Sequence, residues 1–278
     1  MTGTVTTHFS FPFLSPNYVF THRLIVFPLE DYSWFSCLKS QLHLTFIKFT
    51  SSTFGDNPTY SPSDSFETFP FPEVIIDLKD NNSFHSDQKR QLEVVGKNYY
   101  EFRDELMNYN QKGLTEIYND FNNPFMQDPN IIEQRRLHNL LDKSVLDSYG
   151  WSYLHSNYGF GLNYLDIEEE QDIPSGLLKE RVKEKNFFFN EVDEAIHFEN
   201  EYRAFTRSRK KLKWHYRWPD DVRDNALSNL LDLNSMRHSD ELAKGLHFRN
   251  KQTSKKDNFN STSANKSFNE NNQKGLRL

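Results

Sequence analysis

Several features that would define a class of protein are scarce in this sequence. Cys37 is the single cysteine among 278 residues, which excludes a disulfide framework and a cysteine-rich metal site. The apolar runs are too short to cross a bilayer. Met1–His8 is neither basic nor followed by the long apolar run of a signal peptide. The sequence therefore predicts a cytoplasmic protein with no membrane partner.

Excess positive charge is also lacking. The net charge of −6 gives the chain no overall attraction to nucleic acid, so any DNA contact has to come from a local basic cluster. The ten histidines show no metal-binding spacing, such as two histidines four residues apart beside a carboxylate. We therefore predict no metal site.

Aromatic residues, by contrast, are abundant. Phe occurs 25 times and aromatic residues make up 15% of the chain, whereas hydrophobic residues as a whole reach only 36%. This composition predicts small, aromatic-rich cores in place of one large aliphatic core. The fold class that we predict is mainly α with a small α/β N-terminal portion.

The N-terminal part carries both strand and helix signals. Phenylalanines alternate along residues 9–13, and we predict strands within residues 9–28. Asp31 is an N-cap candidate for a helix through about Phe49, whose apolar residues recur at three- and four-residue spacing. Three prolines within residues 60–72 predict a segment that runs extended over a surface.

Helical spacing dominates the middle of the chain. After a short polar linker, apolar residues within 92–106 and within 114–121 define one face each of two helices. Asp128 followed by proline is a strong helix start, and Gly150 is the C-terminal cap of this third helix. The pattern predicts one compact bundle of three helices. A last helix is predicted over residues 222–233.

These signals divide the chain into four regions. The first is the N-terminal portion, residues 1–78, and the second is a helical domain, residues 88–155. An irregular arm with a basic run and a closing helix follows over residues 156–249. Residues 250–278 are rich in Asn, Ser and Lys with almost no apolar content, and we predict that they form a disordered tail.

The densest cluster of cations in the folded part is the candidate DNA-binding site. It consists of Arg207, Arg209, Lys210, Lys211 and Lys213. Aromatic residues follow at 214–218. Cations neutralise phosphates, and aromatic planes can pack against sugars or bases. The alternative is a solvated loop whose charge balances the acidic stretch 166–172.

Other candidate sites are weaker. Asp64 with Asp77-Leu78-Lys79 loosely imitates the acidic–acidic–lysine pattern of metal-dependent nucleases, but so short a pattern is permissive, and a strand end and linker is the preferred interpretation. Gly159-Phe160-Gly161 follows no predicted strand and is a poor cofactor loop. The nearest candidates for base-specific contacts are His22, Arg23, Lys39 and Lys48. The preferred interpretation of each is an ordinary surface residue.

One string resembles a known enzyme family. Residues 60–72, YSPSDSFETFPFP, resemble the end of the target recognition domain in MmeI-like (type IIG/IIL) DNA adenine methyltransferase/restriction enzymes, where a TPSDCFETFPFP-type string occurs. Ser61 stands here for the usual threonine and Ser65 for the usual cysteine. Both exchanges are small.

Two further stretches, one within residues 92–151 and one beginning at residue 216, follow in the order of that family. YYEFR at residues 99–103 and VLDSYGW at residues 145–151 resemble the helical C-terminal domain that follows the recognition domain. YRWP at residues 216–219 opens a stretch similar to the closing helix of the family. Together the matches reach from about Phe20 to Leu233.

The resemblance implies a function in DNA modification. It implies that residues 1–78 are the C-terminal part of a DNA target recognition domain, that double-stranded DNA is the partner, and that S-adenosylmethionine is the methyl donor of the full-length family. The chain itself contains no Asn-Pro-Pro-Tyr or Asp-Pro-Pro-Tyr string to hold a flipped adenine. We therefore expect no cofactor and no catalytic residue in this chain.

The resulting expectation is a DNA-recognition and bracing fragment of an adenine-N6 DNA methyltransferase of a restriction-modification system, inactive alone. A methyltransferase domain or subunit is then encoded upstream. Two alternatives stay open at this stage. One is a stand-alone, non-catalytic DNA-specificity subunit of a restriction-modification system, and the other is an inactive pseudogene product.

Overall fold

The computed structural model describes residues 1–54, 57–76, 83–167, 173–207 and 211–245. The fold is mainly α, as the sequence predicts. Its α-helices are α1 (Tyr32–Lys39), α2 (Gln41–Thr50), α3 (Glu73–Ile76), α4 (Ser83–Asn110), α5 (Leu114–Asn122), α6 (Pro129–Ser148), α7 (Leu177–Glu184), α8 (Val192–Thr206) and α9 (Asp220–Ala243).

The strands are short and antiparallel. They are β1 (Thr2–Gly3), β2 (Leu24–Ile25), β3 (Thr53–Phe54), β4 (Asn57–Pro58), β5 (Gly159–Gly161), β6 (Phe188–Phe189) and β7 (His215–Arg217). β1 pairs with β2 and β3 with β4, while β5 is the central strand between β6 and β7. In the central ladder Phe160 lies opposite both Phe189 and Tyr216.

The prediction of strands across residues 9–28 is wrong except at Leu24–Ile25. Phe9 and Phe11 are both buried, as they would be on the inner face of a strand. The backbone between them, however, is not that of a strand. Phe11 has a left-handed φ of 49°, which breaks the extended conformation. The segment is an irregular strap, because packing its rings against Tyr60 and His43 outweighs strand pairing.

The helix predicted from Asp31 to about Phe49 is interrupted. Ser40 adopts an extended ψ of 154° between α1 and α2. Its Oγ donates to Cys37 O at 2.7 Å and accepts from His43 N at 3.2 Å. A serine that satisfies both helix ends replaces the hydrogen bonds of a continuous helix. Phe49, predicted on the buried stripe, is 58% exposed.

The segment over residues 60–72 is also corrected, because it does not run extended over a surface. Pro62–Phe66 form a π-helical turn, N-capped by the Oγ of Ser61, which accepts from Asp64 N at 3.4 Å. Proline fits the first position of a helical turn, where its missing N–H is not needed. Phe69 and Phe71 then dock in the core, with the ring of Phe69 4.8 Å from that of His43.

The three predicted helices of the middle region are confirmed as α4, α5 and α6. Leu92, Tyr99 and Leu106 are buried along α4. The N-cap Asp128 accepts from Asn130 N at 2.8 Å, and Gly150 follows α6 with φ +73°, the left-handed conformation that favours glycine. α4 begins at Ser83, which the sequence assigned to the linker.

The helical bundle also includes α1, which packs closely against α4. Ser36 Oγ donates to Leu92 O at 2.7 Å, and Ser33 N donates to Glu93 Oε2 at 2.7 Å. Gly96 of α4 lies so close to α1 that a Cβ there would be 2.5 Å from Tyr32 O. The N-terminal helices and α4 thus share one packed interface.

A second core fills the region after α6. The β6-β5-β7 sheet packs against α7 and α8 around Phe160, Phe189, Phe198 and Trp214. The three consecutive phenylalanines at 187–189, which had no evident partner in the sequence, supply β6 and part of this core.

Contacts group Met1–Leu230 in one compact unit and Leu231–Leu278 in another. The subdivision of the chain near residues 78 and 155 stays a prediction. α9 contains the closing helix predicted over residues 222–233, with Ala226 and Leu230 buried. The predicted tail, residues 250–278, lies outside the described residues. Within the described ranges, helices are either too short or too polar to cross a membrane.

Candidate nucleic-acid interface

The basic run lies on the arm that connects α8 to β7. Arg207 caps α8 in the left-handed conformation, with φ +53°. Arg207, Lys211 and Lys213 are exposed. Arg209 and Lys210 lie outside the described residues, as does the Glu168–Glu170 stretch that was the alternative partner of this run. The described cations of the run therefore face solvent, where a phosphate backbone can reach them.

The aromatic residues that follow the run turn inward. Trp214 is 6% exposed and its Nε1 donates to Glu199 Oε2 at 2.6 Å, and Trp218 is 2% exposed. The expectation that these indole planes pack against sugars or bases is therefore wrong, because core packing and a buried hydrogen bond hold them. Arg217 is also buried and pairs with Asp220 at 2.9 Å. Trp214 instead anchors the arm to the core.

A cavity of about 630 Å³ opens beside this arm, and Lys213 is one of its lining residues. Its other cations come from elements far apart in the sequence: Lys39 at the end of α1, Lys48 on α2 and Arg217 on β7. The lining also contains imidazoles and carboxamides, those of His8, His138, His215, Gln41, Asn57, Asn122 and Asn163. Among the described lining residues there is no carboxylate.

Burial, followed by the neighbouring cations, shifts the pKa values of three lining residues. Desolvation lowers the pKa of Lys48 to about 8, and Arg217 and Arg223 lower it further in the same direction. Lys48 is exposed to solvent and is one of the residues that line the cavity. Desolvation, followed by Lys48 and Arg217, lowers the pKa of His215 to about 3. Desolvation also lowers the pKa of His8; its hydrogen bond to Asn119 opposes this shift, and Lys39 and Lys48 add to it.

Tyr118 of α5 forms part of the cavity wall. The Nζ of Lys39 lies 4.4 Å from its ring centroid. Its hydroxyl accepts from Arg103 Nη1 at 3.2 Å and lies 3.3 Å from Tyr99 Oη. Burial alone would raise the pKa of Tyr118, but Lys39, Arg103 and these hydrogen bonds outweigh burial and lower it to about 8. The wall thus favours negative charge.

Asp142, a buried acid bonded to two residues of the cavity lining, already has several partners. Asp142 is 1% exposed and accepts from Gln41 N at 2.7 Å through Oδ1. Tyr158 donates its hydroxyl to Oδ2, and His138 Nδ1 lies 3.0 Å from the same oxygen. This network joins the start of α2 to α6 and to the segment before β5. It connects the lining residues Gln41 and His138 through Asp142.

Among the described residues, the other sequence candidates form no catalytic cluster. Asp64 is exposed in the π-helical turn, and Asp77 and Lys79 lie outside the described residues. In the described ranges, no group of three or more His, Cys, Asp or Glu is arranged to hold a metal ion. His22 and Arg23 are exposed, away from the cavity lining.

The glycine string at residues 159–161 does not fit a methyl-donor loop. A Cβ at Gly159 would lie 2.3 Å from Phe189 O, and a Cβ at Gly161 would lie 2.4 Å from Arg217 Nε. Both glycines permit close packing inside the central sheet. The space beside them is filled by protein, so no step of methyl transfer can be assigned to these residues.

Sequence reasoning missed the cavity as a site. It named Lys39 and Lys48 singly, as surface residues, included His215 only among the aromatic residues that follow the basic run, and passed over His8. These residues share no local spacing, because the strap, α1, α2 and β7 meet only in the folded chain. The one sequence signal was the basic run, whose last cation, Lys213, lines the cavity.

Comparisons with protein families, with curated proteins and with solved structures find no significant match to this chain.

Proposed function

We propose that this chain is a DNA-recognition and bracing fragment of an adenine-N6 DNA methyltransferase of a restriction-modification system, of the MmeI-like type. Methyl transfer then belongs to a partner domain or subunit. The observation that carries the proposal is the exposed cationic arm of Arg207, Lys211 and Lys213, fixed to the core by the buried Trp214. Arg209 and Lys210 remain predicted contacts of the same run.

The arm suits the backbone of DNA better than its bases. Lysine and arginine on a held arm can neutralise phosphates along a duplex without reading sequence. The indole rings that could have stacked on bases are buried. We therefore assign to the arm a positioning contact, which sets the register of the duplex for domains that read or modify it.

The packing of the YSPSDSFETFPFP string supports the bracing part of the proposal. Phe69 and Phe71 pack against His43 and Trp34, and Trp34 belongs to α1. α1 in turn is hydrogen-bonded to α4 through Ser36. The end of the recognition segment and the helical bundle are therefore one packed body, through which a DNA contact on one can be held against the other.

The experiment is a fluorescence anisotropy titration of a labelled DNA duplex at two salt concentrations. The triple variant Arg207→Ala/Lys211→Ala/Lys213→Ala should lose most of the binding. Because each neutralised phosphate contributes about −0.9 to the log–log salt slope, the slope should flatten by up to about 3. A control with the same change in charge is Lys97→Ala/Lys179→Ala/Lys183→Ala, which removes exposed lysines on α4 and α7.

The control should bind the duplex nearly as well as the parent. If the two triple variants lose the same affinity, binding reflects net charge alone and the arm is not the contact. Because the replaced side chains are exposed, each variant should melt at the temperature of the parent. A thermal melt of each variant therefore checks that lost binding is not caused by unfolding.

A further inference from the structure

The cavity beside the arm has the chemistry of a ligand site. Lys39 and Lys48 line it from separate helices, and its described lining includes no carboxylate. Like charges brought together inside one cavity destabilise the folded chain. The arrangement favours an anion, because an anion would relieve this repulsion.

The lining also contains features that a simple anion does not need. Phe121, Tyr164 and Tyr216 are lining residues, although the rings of Phe121 and Tyr216 already pack against each other, and Asn57 and Asn163 add carboxamides that can both donate and accept hydrogen bonds. Tyr164 is 58% exposed, so that its ring can stack on a flat ligand at the rim. A volume of about 630 Å³ lies in the range of small-molecule and cofactor sites, about 300–1,000 Å³.

We propose that this cavity binds one nucleotide unit, with its phosphate at Lys39 and Lys48 and its base among the rings and carboxamides. Phosphate needs cations and flat bases need aromatic planes with polar edges, and the cavity supplies both. The unit is either a free nucleotide or a nucleotide within a single strand. The inference uses the cavity and not the duplex contact of the arm, so either can fail without the other.

Calorimetric titration of the full chain tests the proposal. The probes are dAMP, dCMP, deoxyadenosine, inorganic phosphate and a six-nucleotide single-stranded DNA. Each nucleotide should bind at least tenfold more tightly than deoxyadenosine and than inorganic phosphate. Tighter binding of the oligonucleotide than of dAMP identifies a strand as the source, and the reverse order identifies a free nucleotide; both orders support the site.

Lys48→Gln, which keeps most of the side-chain length and removes the charge, should weaken nucleotide binding at least tenfold. The control Lys97→Gln removes an exposed lysine of α4 outside the cavity and should leave binding unchanged. An anion beside Lys48 also raises its pKa, so the parent should take up protons on binding near pH 8. This uptake, measured in buffers of different ionisation enthalpy, should disappear in Lys48→Gln.

Three results would overturn the proposal. One is the absence of nucleotide binding by the parent at millimolar concentration. Another is equal affinity for inorganic phosphate and nucleotides, which would leave the rings and carboxamides without a role. The third is an equal loss of binding in Lys48→Gln and Lys97→Gln. Failure of the cavity proposal is distinguished from failure of the proposed function by a separate measurement. The variant Arg207→Ala/Lys211→Ala leaves the cavity lining intact, so its duplex binding, compared with that of the parent, tests the arm alone.

Discussion

Replacing Gly96 by alanine tests the interface between α1 and α4, on which the bracing function depends. A Cβ at this position would lie 2.3 Å from Ser36 Oγ and 2.5 Å from Tyr32 O. Both distances are far shorter than van der Waals contact. Ser36 could rotate only by giving up its 2.7 Å hydrogen bond to Leu92 O, and the carbonyl of Tyr32 can move only with α1 itself.

The size of the effect follows from two opposing contributions. Overpacking of a close interface costs about 1–3 kcal/mol, and a contact with backbone belongs at the upper end of that range. Alanine in a helix interior is favoured over glycine by about 1 kcal/mol. The net loss of unfolding free energy should therefore be about 2 kcal/mol. For a unit of this size it corresponds to a melting temperature lower by roughly 4–8 °C.

Urea denaturation and a thermal melt followed by circular dichroism measure the change. Asn98→Ala is the matched control, because it lies two residues further on the same helix with its side chain exposed. It should raise stability by a few tenths of a kcal/mol or more, since alanine is the better helix former. If Gly96→Ala melts at or above the parent temperature, α1 and α4 are not packed as described.

Two further predictions concern buried polar side chains. Burial lowers the pKa of His43 to about 4 from an ordinary 6.5. Because the unfolded chain then binds a proton that the folded chain refuses, stability should fall by up to about 1.4 kcal/mol per pH unit as the pH drops from 6.5 toward 4. In thermal melts at pH 7 and pH 5, His43→Gln should reduce this dependence, and an unchanged dependence would contradict the assignment. Arg135 donates to four backbone carbonyls at 2.8–3.2 Å, so Arg135→Lys should lose about 2–3 kcal/mol in urea denaturation. The exposed Arg136→Lys should change stability by less than about 0.5 kcal/mol, and equal effects of the two changes would refute this role.

The sequence predicted the helical middle of the chain well. The apolar spacing of α4, the Asp128-Pro129 start of α6 and the glycine after its end are all local signals, complete within a few turns of helix. Such signals depend on the backbone geometry of neighbouring residues, which tertiary packing here did not override. The boundary of α4 was misplaced because residues 83–91 contain a single apolar residue, Phe84, and so show no apolar periodicity.

The sequence-based predictions were wrong for segments whose conformation depends on residues distant in the sequence. Ser40 breaks a stripe of regular helical spacing because its hydroxyl satisfies both helix ends. Phe69 and Phe71 of the proline string over residues 60–72 are buried because His43 and Trp34 lie where their rings can dock. Neither partner is adjacent in sequence, so no local rule could identify it.

The candidate site divides in the same way. The basic run was visible in the sequence because its cations are neighbours, and their exposure at Arg207, Lys211 and Lys213 agrees with that pattern. The inward turn of Trp214 was not visible, because a tryptophan beside cations has the same local pattern whether it is buried or exposed. The cavity was decided by tertiary structure alone. Its charge arises where Lys39 and Lys48 meet the arm, and sequence spacing carries no record of which residues the folded chain brings together.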